Sequence, residues 1–174
     1  MNIPINDNFA LTKLFADDLP SALQHLADSD IAAATIGIPH PYTGDDFASM
    51  MAKAEAAELE CGYPMYLAIR EADGLMIGAI KFCEVIGEGV WEIGYWLAMP
   101  WWGRGIMTKA VRAACDHAFF KWDVGVVFAS VIEGSTASER VLLKNGFIYD
   151  GPTVLRKDGQ DVAGRVFVLE APPF

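Results

Sequence analysis

The apolar residues of this 174-residue chain change period along its length, from helical near the start to strand-like in the middle. Leu19, Leu23 and Leu26 stand three and four positions apart behind two aspartates, which predicts a first helix. The alanine-rich segment 47–59 predicts a second helix, because alanine, glutamate and methionine favour helices. Its cap is expected at one of three residues, Thr43, Asp45 or Asp46.

From Met65 the pattern becomes that of strands. Three apolar segments, MYLAIRE, LMIGAIKFCEV and VWEIGYWLA, are separated by glycine turns at 72–74 and 87–89, which predicts three antiparallel strands. A shorter strand is expected before them, near Phe9 to Phe15. After them we expect a helix at about 105–121, a strand at 124–132, a helix at about 136–144 and two final strands around a turn at 157–159. This order predicts one mixed α/β domain spanning residues 1–174.

One stretch, EIGYWLAMPWWGRGIMTKAV (Glu92 to Val111), runs from a strand into a helix through two glycines. Glycines at this point let the chain turn tightly, so that the free N–H groups of the first helical turn converge on one place. Such a helix N-terminus binds anions, phosphate above all. The spacing of Gly103 and Gly105 fits neither the P-loop nor the dinucleotide fingerprint, so ATP and NAD are disfavoured as ligands. A plain strand-to-helix connection is the alternative explanation of the two glycines.

The net charge of −10 is unevenly distributed. Residues 1–100 carry 4 Lys or Arg and 15 Asp or Glu, whereas residues 101–174 carry 9 and 8. An acidic chain disfavours a nucleic-acid partner, and its short, charge-interrupted apolar runs disfavour a membrane span. The start lacks the basic and apolar regions of a signal peptide and the three cysteines lie far apart, which predicts a reduced, cytoplasmic protein.

The stretch described above, followed by SVIEGSTASERVLLKNGFIYDG, resembles the GCN5-related N-acetyltransferase (GNAT) superfamily, and within it the RimJ/RimL branch of ribosomal-protein N-terminal acetyltransferases. More loosely, the similarity extends over nearly the whole chain. The resemblance implies the GNAT fold, with a mostly antiparallel, twisted sheet of six to seven strands, splayed at the cofactor cleft and flanked by about four helices. It also implies acetyl-CoA as co-substrate and no metal.

The cofactor residues implied by the resemblance lie in the glycine turn and at the end of the strand before it. Backbone N–H groups of the turn would hold the pyrophosphate of coenzyme A, and the backbone of Leu97 would pair with the pantetheine arm. Gly105 alone matches the family pattern literally, and Trp102 stands where glutamine or arginine is usual. The positions of the turn are Gly103, Arg104, Gly105, Ile106, Met107 and Thr108.

In the second motif, Ser138 matches the serine that this branch places beside the thioester. Ser135 stands at a cofactor-binding position where asparagine is usual, so the resemblance implies a weakened or differently made contact to the cofactor. Its alternative role is a helix cap, since Ser135 or Thr136 with Glu139 resembles a capping box. Leu142 replaces a tyrosine that serves many family members as general acid. Either Ser138 or water therefore protonates the thiolate, or acid help is dispensable, since a thiolate of pKa near about 8.5 is already a fair leaving group.

The resemblance implies direct attack of a neutral amine on the acetyl group, through a tetrahedral intermediate that an N–H near Leu97 stabilises. Glu92 is our candidate for the base that takes the amine proton, with His40 as its rival and a plain surface carboxylate as its alternative role. Cys115 and His117 point different ways on one helix, so we expect no zinc site.

The sequence thus predicts an acetyl-CoA-dependent N-acetyltransferase acting on a primary amine. Acidity of residues 1–100 favours a cationic small molecule as acceptor, and a protein N-terminus is the other class. A non-catalytic acyl-CoA-binding or regulatory module of the same fold is the alternative function, because Ser135 and Leu142 depart from the catalytic pattern. We expect a monomer or a homodimer.

Overall fold

The computed structural model describes residues 1–85 and 89–173, and within them eight strands form one sheet flanked by five α-helices. The strands are β1 (Asn2–Asn6), β2 (Phe9–Lys13), β3 (Tyr66–Glu71), β4 (Met76–Glu84), β5 (Val90–Leu97), β6 (Val126–Ile132), β7 (Ile148–Lys157) and β8 (Gln160–Glu170). The helices are α1 (Leu19–Leu26), α2 (Ser29–Ala34), α3 (Gly44–Cys61), α4 (Ile106–Lys121) and α5 (Thr136–Lys144).

The strands lie in the order β1-β2-β3-β4-β5-β6-β8-β7. Every neighbouring pair is antiparallel except β5 and β6, which run parallel in the middle of the sheet. A parallel pair needs a crossover connection, and α4 provides it. The glycine turn, which precedes α4, therefore follows the end of β5 that lies away from the residues paired with β6.

The expected fold class is confirmed, but the sheet has more strands and the described residues more helices than the sequence predicts. The extra strand β1 was missed because Pro4 breaks its pattern, and proline is tolerated here since β1 is an edge strand. The extra helix α2 has only six residues, too few to show a helical period, and begins where the Asp28 carboxylate accepts the Asp30 N–H. Gly87 and Glu88 of the predicted turn lie outside the described residues.

The two faces of the sheet carry different layers. On one face α4 packs into the main core, where its apolar residues Met107, Ala110, Val111 and Ala114 are each at most 8% exposed. On the other face a smaller core joins α1 and α2 to β3, β4 and β5. Strand β5 contributes to both cores, with Trp91 and Ile93 in the main one and Trp96 in the smaller one.

The start of helix α3 is fixed by a side-chain cap. Thr43 is its cap, since its hydroxyl accepts the Asp46 N–H at 3.3 Å while the Asp46 carboxylate accepts the Thr43 N–H at 2.8 Å. This capping box selects one of the three cap residues that the sequence offered.

Among the described residues, none of the helices combines the length and apolarity that crossing a membrane requires.

Candidate active site

A wedge opens between β5 and β6. The two strands pair at only three positions, Val90 with Val126, Trp91 with Val127 and Glu92 with Phe128. Beyond Glu92 each strand continues with its outer neighbour alone, β5 with β4 and β6 with β8. The sheet is therefore split over the second half of β5.

Backbone groups of β5 face this wedge. The Ala98 N–H donates to the Ile77 carbonyl at 2.8 Å, toward β4. Because hydrogen-bonding direction alternates along an antiparallel strand, the N–H and carbonyl groups of Ile93, Tyr95 and Leu97 point the other way, toward β6. The Leu97 carbonyl accepts the indole N–H of Trp102 at 2.6 Å. The Leu97 N–H is thus directed into the wedge.

The glycine turn closes the wide end of the wedge. Gly103 and Gly105 have φ of 73° and 71°, a left-handed conformation that L side chains rarely adopt, and a Cβ at either would meet nothing within 4 Å. The first helical bond of α4 runs from the Lys109 N–H to the Gly105 carbonyl. The N–H groups of Ile106 and Met107, like that of Thr108, therefore have no acceptor inside the helix.

This turn presents backbone rather than reactive side chains. Ile106 and Met107 are 3% and 8% exposed and point into the core, while Arg104 is exposed. Unpaired N–H groups at the positive end of a 16-residue helix, with open space in front of two glycines, form an anion-binding site. The arrangement fits a pyrophosphate, and the wedge beside it fits an extended chain that pairs with a strand edge.

A cavity of about 490 Å³ lies where the wedge meets α2 and α3. Its walls include Glu92, Tyr95 and Ser138 from the two sides of the wedge, and Tyr42 from the loop before α3. Gly94 forms part of its floor, where a Cβ would meet nothing within 4 Å. The cavity is open to an incoming molecule from the face opposite α4.

Glu92 lies in this cavity, on the last paired residue before the strands diverge. Its cross-strand neighbours are Cys83 on β4 and Phe128 on β6. In the described part of the chain the Glu92 carboxylate has neither an ion pair nor a recorded hydrogen bond. The predicted base thus stands half-buried at the vertex of the wedge. By contrast, its rival His40 is exposed and is not among the residues that line the cavity.

Of the two predicted serines, only one lines the cavity. Ser138 lies in the first turn of α5 and faces the wedge. Ser135 precedes α5 and is not among the lining residues, and its side chain makes no capping bond. The capping box that was its alternative role does not form, because Glu139 pairs instead with Arg165 at 2.7 Å.

Tyr95 is a functional candidate that the sequence analysis missed. Its hydroxyl donates to the Ser138 carbonyl at 3.3 Å, so the phenol spans the wedge from β5 to α5. Burial raises the pKa of Tyr95 well above its ordinary value of 10, so the phenol remains protonated at neutral pH. Leu142, at the usual tyrosine position, is fully buried. In the sequence, Tyr95 could have been noticed because it has the only hydroxyl in the mainly apolar strand segment VWEIGYWL.

Asn145 ties the two sequence motifs together. It is 4% exposed, and its amide donates to the carbonyls of Thr108 at 3.0 Å and Val141 at 2.8 Å. Its oxygen accepts the Arg112 Nε–H at 3.1 Å. The first turn of α4 and the last turn of α5 are therefore fixed to each other, which holds the glycine turn and Ser138 in one frame.

Two further observations concern ionisable and metal-binding groups. Burial lowers the pKa of His25 and of His117 below its ordinary value, and burial raises the pKa of the Cys115 thiol to about 12. Cys115 is thus protonated at neutral pH and is a poor nucleophile.

Within residues 1–85 and 89–173, no three His, Cys, Asp or Glu side chains are grouped closely enough to hold a metal ion.

The family model for the acetyltransferase (GNAT) domain matches residues 8–148. The chain therefore belongs to the GNAT acetyltransferase family, which confirms the resemblance seen in the two motifs. The matched region contains the glycine turn, the wedge and the whole of α5.

Individual relatives fall in the same family. A curated relative, "Probable N-acetyltransferase YjcK" of Bacillus subtilis (strain 168), is 35% identical over 82 residues, or 46% of this chain and 45% of the relative. The chain matches 38–59% of the length of the curated relatives. Among solved structures, RimL, a ribosomal L7/L12 α-N-protein acetyltransferase in complex with coenzyme A, superposes with a TM-score of 0.87 at 17% identity, covering 98% of each chain.

A second solved structure, the spermidine N-acetyltransferase of Vibrio cholerae in complex with coenzyme A and spermine, has a TM-score of 0.78 at 16% identity. The match covers 95% of this chain and 97% of that one. At this identity the two solved structures establish the common fold. Their acceptors, as named, differ widely, so the fold alone does not select an acceptor.

Proposed function

We propose that this protein is an acetyl-CoA-dependent N-acetyltransferase that acts on a primary amine. The observation that carries the proposal is a juxtaposition: the N–H groups of the glycine turn, the split strand edge and the open carboxylate of Glu92 all border one wedge. Each feature has an ordinary structural explanation by itself. Together they match what an acyl transfer requires, namely an anion site, an extended binding edge and a base.

The residues present suit acetyl-CoA as the donor. Bound there, acetyl-CoA would supply the acetyl thioester. The backbone N–H groups from Gly103 to Thr108 would hold its pyrophosphate, and the Leu97 N–H would face its pantetheine arm. Because Ile106 and Met107 are buried, the turn acts through its backbone. RimL and the spermidine acetyltransferase both contain coenzyme A in their solved structures, which supports the assignment.

The reaction follows from the side chains around the cavity. Glu92 takes a proton from the acceptor ammonium, directly or through water, and the neutral amine then attacks the acetyl carbonyl carbon. A C–N bond forms as the C–S bond breaks, and a backbone N–H near Leu97 stabilises the oxyanion between these events. The departing sulfur gains a proton, for which Tyr95 and Ser138 are the nearby hydroxyl donors.

The acceptor is a peptide N-terminus or a small amine. Both classes are represented among proteins of this fold, by RimL and by the spermidine acetyltransferase. Glu92 suits either class, because it needs only a primary amine within reach. Which class this cavity favours depends on the other charges in its walls.

A panel of amines tests the proposal. The protein is mixed with acetyl-CoA and each amine, release of free thiol is followed, and the acetylated product is identified by mass spectrometry. We expect transfer to at least one amine, and a fall in kcat of about 100-fold or more in Glu92→Gln. Glu84→Gln is the matched control, because Glu84 is an exposed carboxylate on β4 outside the cavity. Binding of acetyl-CoA without thiol release on any amine would favour a non-catalytic acyl-CoA-binding module instead.

A further inference from the structure

The few basic residues of the acidic first part have two distinct locations. Residues 1–100 contain four, and two of them are committed to structural ion pairs, Lys13 with Glu58 and Arg70 with Asp18. The other two, Lys53 on α3 and Lys81 on β4, line the cavity that holds Glu92. In the described part of the chain neither lysine has an ion-pair partner.

The positions of these lysines relative to Glu92 follow from the sheet register. Lys81 is opposite Gly94 and Cys83 is opposite Glu92, so Lys81 and Glu92 are diagonal neighbours on the same face. The Cβ atoms of such neighbours lie about 7–8 Å apart. The Lys81 ammonium also lies 5.7 Å from the centre of the Tyr66 ring, another cavity residue, which keeps it over the opening.

The second acidic residue in the cavity wall is already engaged. The Asp46 carboxylate accepts the N–H and the hydroxyl of Thr43 at 2.8 and 2.5 Å, and these bonds lower the pKa of Asp46. These bonds keep Asp46 ionised and hold its carboxylate at the cap of its own helix. Of the two acidic residues in the cavity wall, Glu92 is the one without a hydrogen-bond partner among the described residues, and it faces two lysines, Lys53 and Lys81. The cavity walls therefore complement a molecule that carries both a positive and a negative charge.

We infer that the acceptor is a primary amine with a carboxylate a few atoms from its amino group. Glu92 receives the amine, and Lys81 with Lys53 receives the carboxylate. This inference rests on the transfer proposed above and narrows its substrate class. A free amino acid and a peptide N-terminus followed by an acidic residue share this chemistry.

The same charges disfavour the cationic acceptors that bulk acidity suggested. A polyamine bound through one amine at Glu92 would bring its second ammonium toward Lys81 and Lys53, where like charges repel. Two of the acidic residues behind the bulk charge, Asp18 and Glu58, are paired elsewhere. The cavity wall carries two acidic and two basic residues, whereas residues 1–100 as a whole are strongly acidic, so the bulk charge does not describe the cavity.

Matched acceptors test the inference on the full chain. One arm compares alanine with alaninamide, and a second compares a peptide beginning Ala-Asp with one beginning Ala-Asn. Spermidine is the third arm. We expect kcat/KM to favour the carboxylate member of at least one pair by about tenfold, the size expected of one charged hydrogen bond. The two arms tell whether a free amino acid or a peptide is the source of the carboxylate.

Lys81→Met is expected to abolish that preference by lowering kcat/KM for the carboxylate members, because methionine retains the apolar stem but removes the charge. Lys121→Met, at an exposed lysine of α4 outside this cavity, is the matched control. Calorimetry of the acetylated products provides a readout independent of turnover, with tighter binding of the carboxylate member expected. Equal kcat/KM within both pairs, or a preference for spermidine, would overturn the inference and leave the transfer intact. Absence of transfer to every acceptor would overturn both.

Discussion

The hydroxyl of Tyr95 donates to the backbone carbonyl of Ser138 at 3.3 Å, across the wedge between β5 and α5. Bonds between a hydroxyl and an oxygen are commonly about 2.7–2.8 Å long, so this one is weak. A phenol in a weak hydrogen bond can turn at little cost toward a departing thiolate, to which its O–H can donate a hydrogen bond. Because the Leu142 position has no hydroxyl, we propose that Tyr95 serves in place of the usual tyrosine, from a different element of the fold.

Tyr95→Phe removes this proton and keeps the ring. We expect kcat to fall by about 10- to 100-fold, while the dissociation constant for acetyl-CoA changes little, since the glycine turn is untouched. Steady-state kinetics and calorimetry measure the two quantities. Tyr63→Phe, whose ring packs against Trp91 and Trp122 in the core, is the control. An unchanged kcat in Tyr95→Phe would leave Ser138 or water as the proton source.

Gly94→Val fills the cavity floor without straining the strand. A Cβ at Gly94 would meet nothing within 4 Å, and valine suits a strand. We expect an unchanged or higher Tm together with loss of transfer, because the added methyl groups occupy the acceptor's place. Gly78→Ala is the contrasting variant, since its Cβ would stand 2.5 Å from the Trp96 carbonyl oxygen and should lower the Tm. Full activity in Gly94→Val would show that the acceptor binds elsewhere.

Lys157→Met should loosen one wall of the cavity. The Lys157 ammonium donates to the carbonyls of Ala32 at 2.7 Å and of Thr35 at 3.0 Å, which ties the β7–β8 hairpin to the end of α2. The loop that follows α2 lines the cavity. We expect a higher KM for the acceptor and an unchanged KM for acetyl-CoA. Equal rises in both would indicate a general loss of structure, which circular dichroism would detect.

Stability should fall as the pH drops below about 6.5, partly through His25. This residue is 9% exposed, packs edge-on against Trp101, and its Nε2 has no partner in the described structure. Burial lowers its pKa, partly opposed by a hydrogen bond with the Met76 backbone. The unfolded chain therefore binds the proton first, and the contribution of His25 is complete above its unfolded pKa and lost as pH falls through the folded one.

His25→Phe should flatten this pH dependence. Melting temperatures at pH 7.5 and 5.5 measure it, in a range where most carboxylates stay ionised. Burial also lowers the pKa of His117, so His117 likewise lowers stability as the pH falls. The His25→Phe variant should therefore retain part of the pH dependence of the Tm. A slope identical to that of the unmodified protein would show that His25 is not the titrating group.

Much of the fold follows from local patterns that the sequence displays. Helix α4 and the glycine turn before it were predictable, because each depends on residues a few positions apart. β1 and α2 were not, since a five-residue edge strand and a six-residue helix have too few residues to establish a period. Short elements of this kind are stabilised mainly by what they pack against.

The candidate site also has some features that the sequence predicts and others that it does not. The glycine turn and the location of Glu92 beside the wedge were predictable, because both lie in one continuous strand-turn-helix stretch. The proximity of Tyr95 to Ser138 and of Lys81 to Glu92 was not, because it depends on residues that the sheet brings together. Ser138 is 43 residues from Tyr95, and the pairing that places Lys81 beside Glu92 depends on the β4–β5 register. Bulk charge suggested a cationic acceptor because it could not show which acidic residues are paired.

The central claim is that the wedge between β5 and β6, with the glycine turn at its end, binds acetyl-CoA. Thermal unfolding with and without acetyl-CoA tests it directly. At 100 times the dissociation constant, binding adds about 2.7 kcal/mol, which raises the Tm of a domain of this size by about 5–10 °C. We predict this rise for the unmodified protein and its loss in Gly105→Trp, whose side chain would occupy the open space before the turn. No rise for the unmodified protein at millimolar acetyl-CoA, or an equal rise in Gly105→Trp, would contradict the claim.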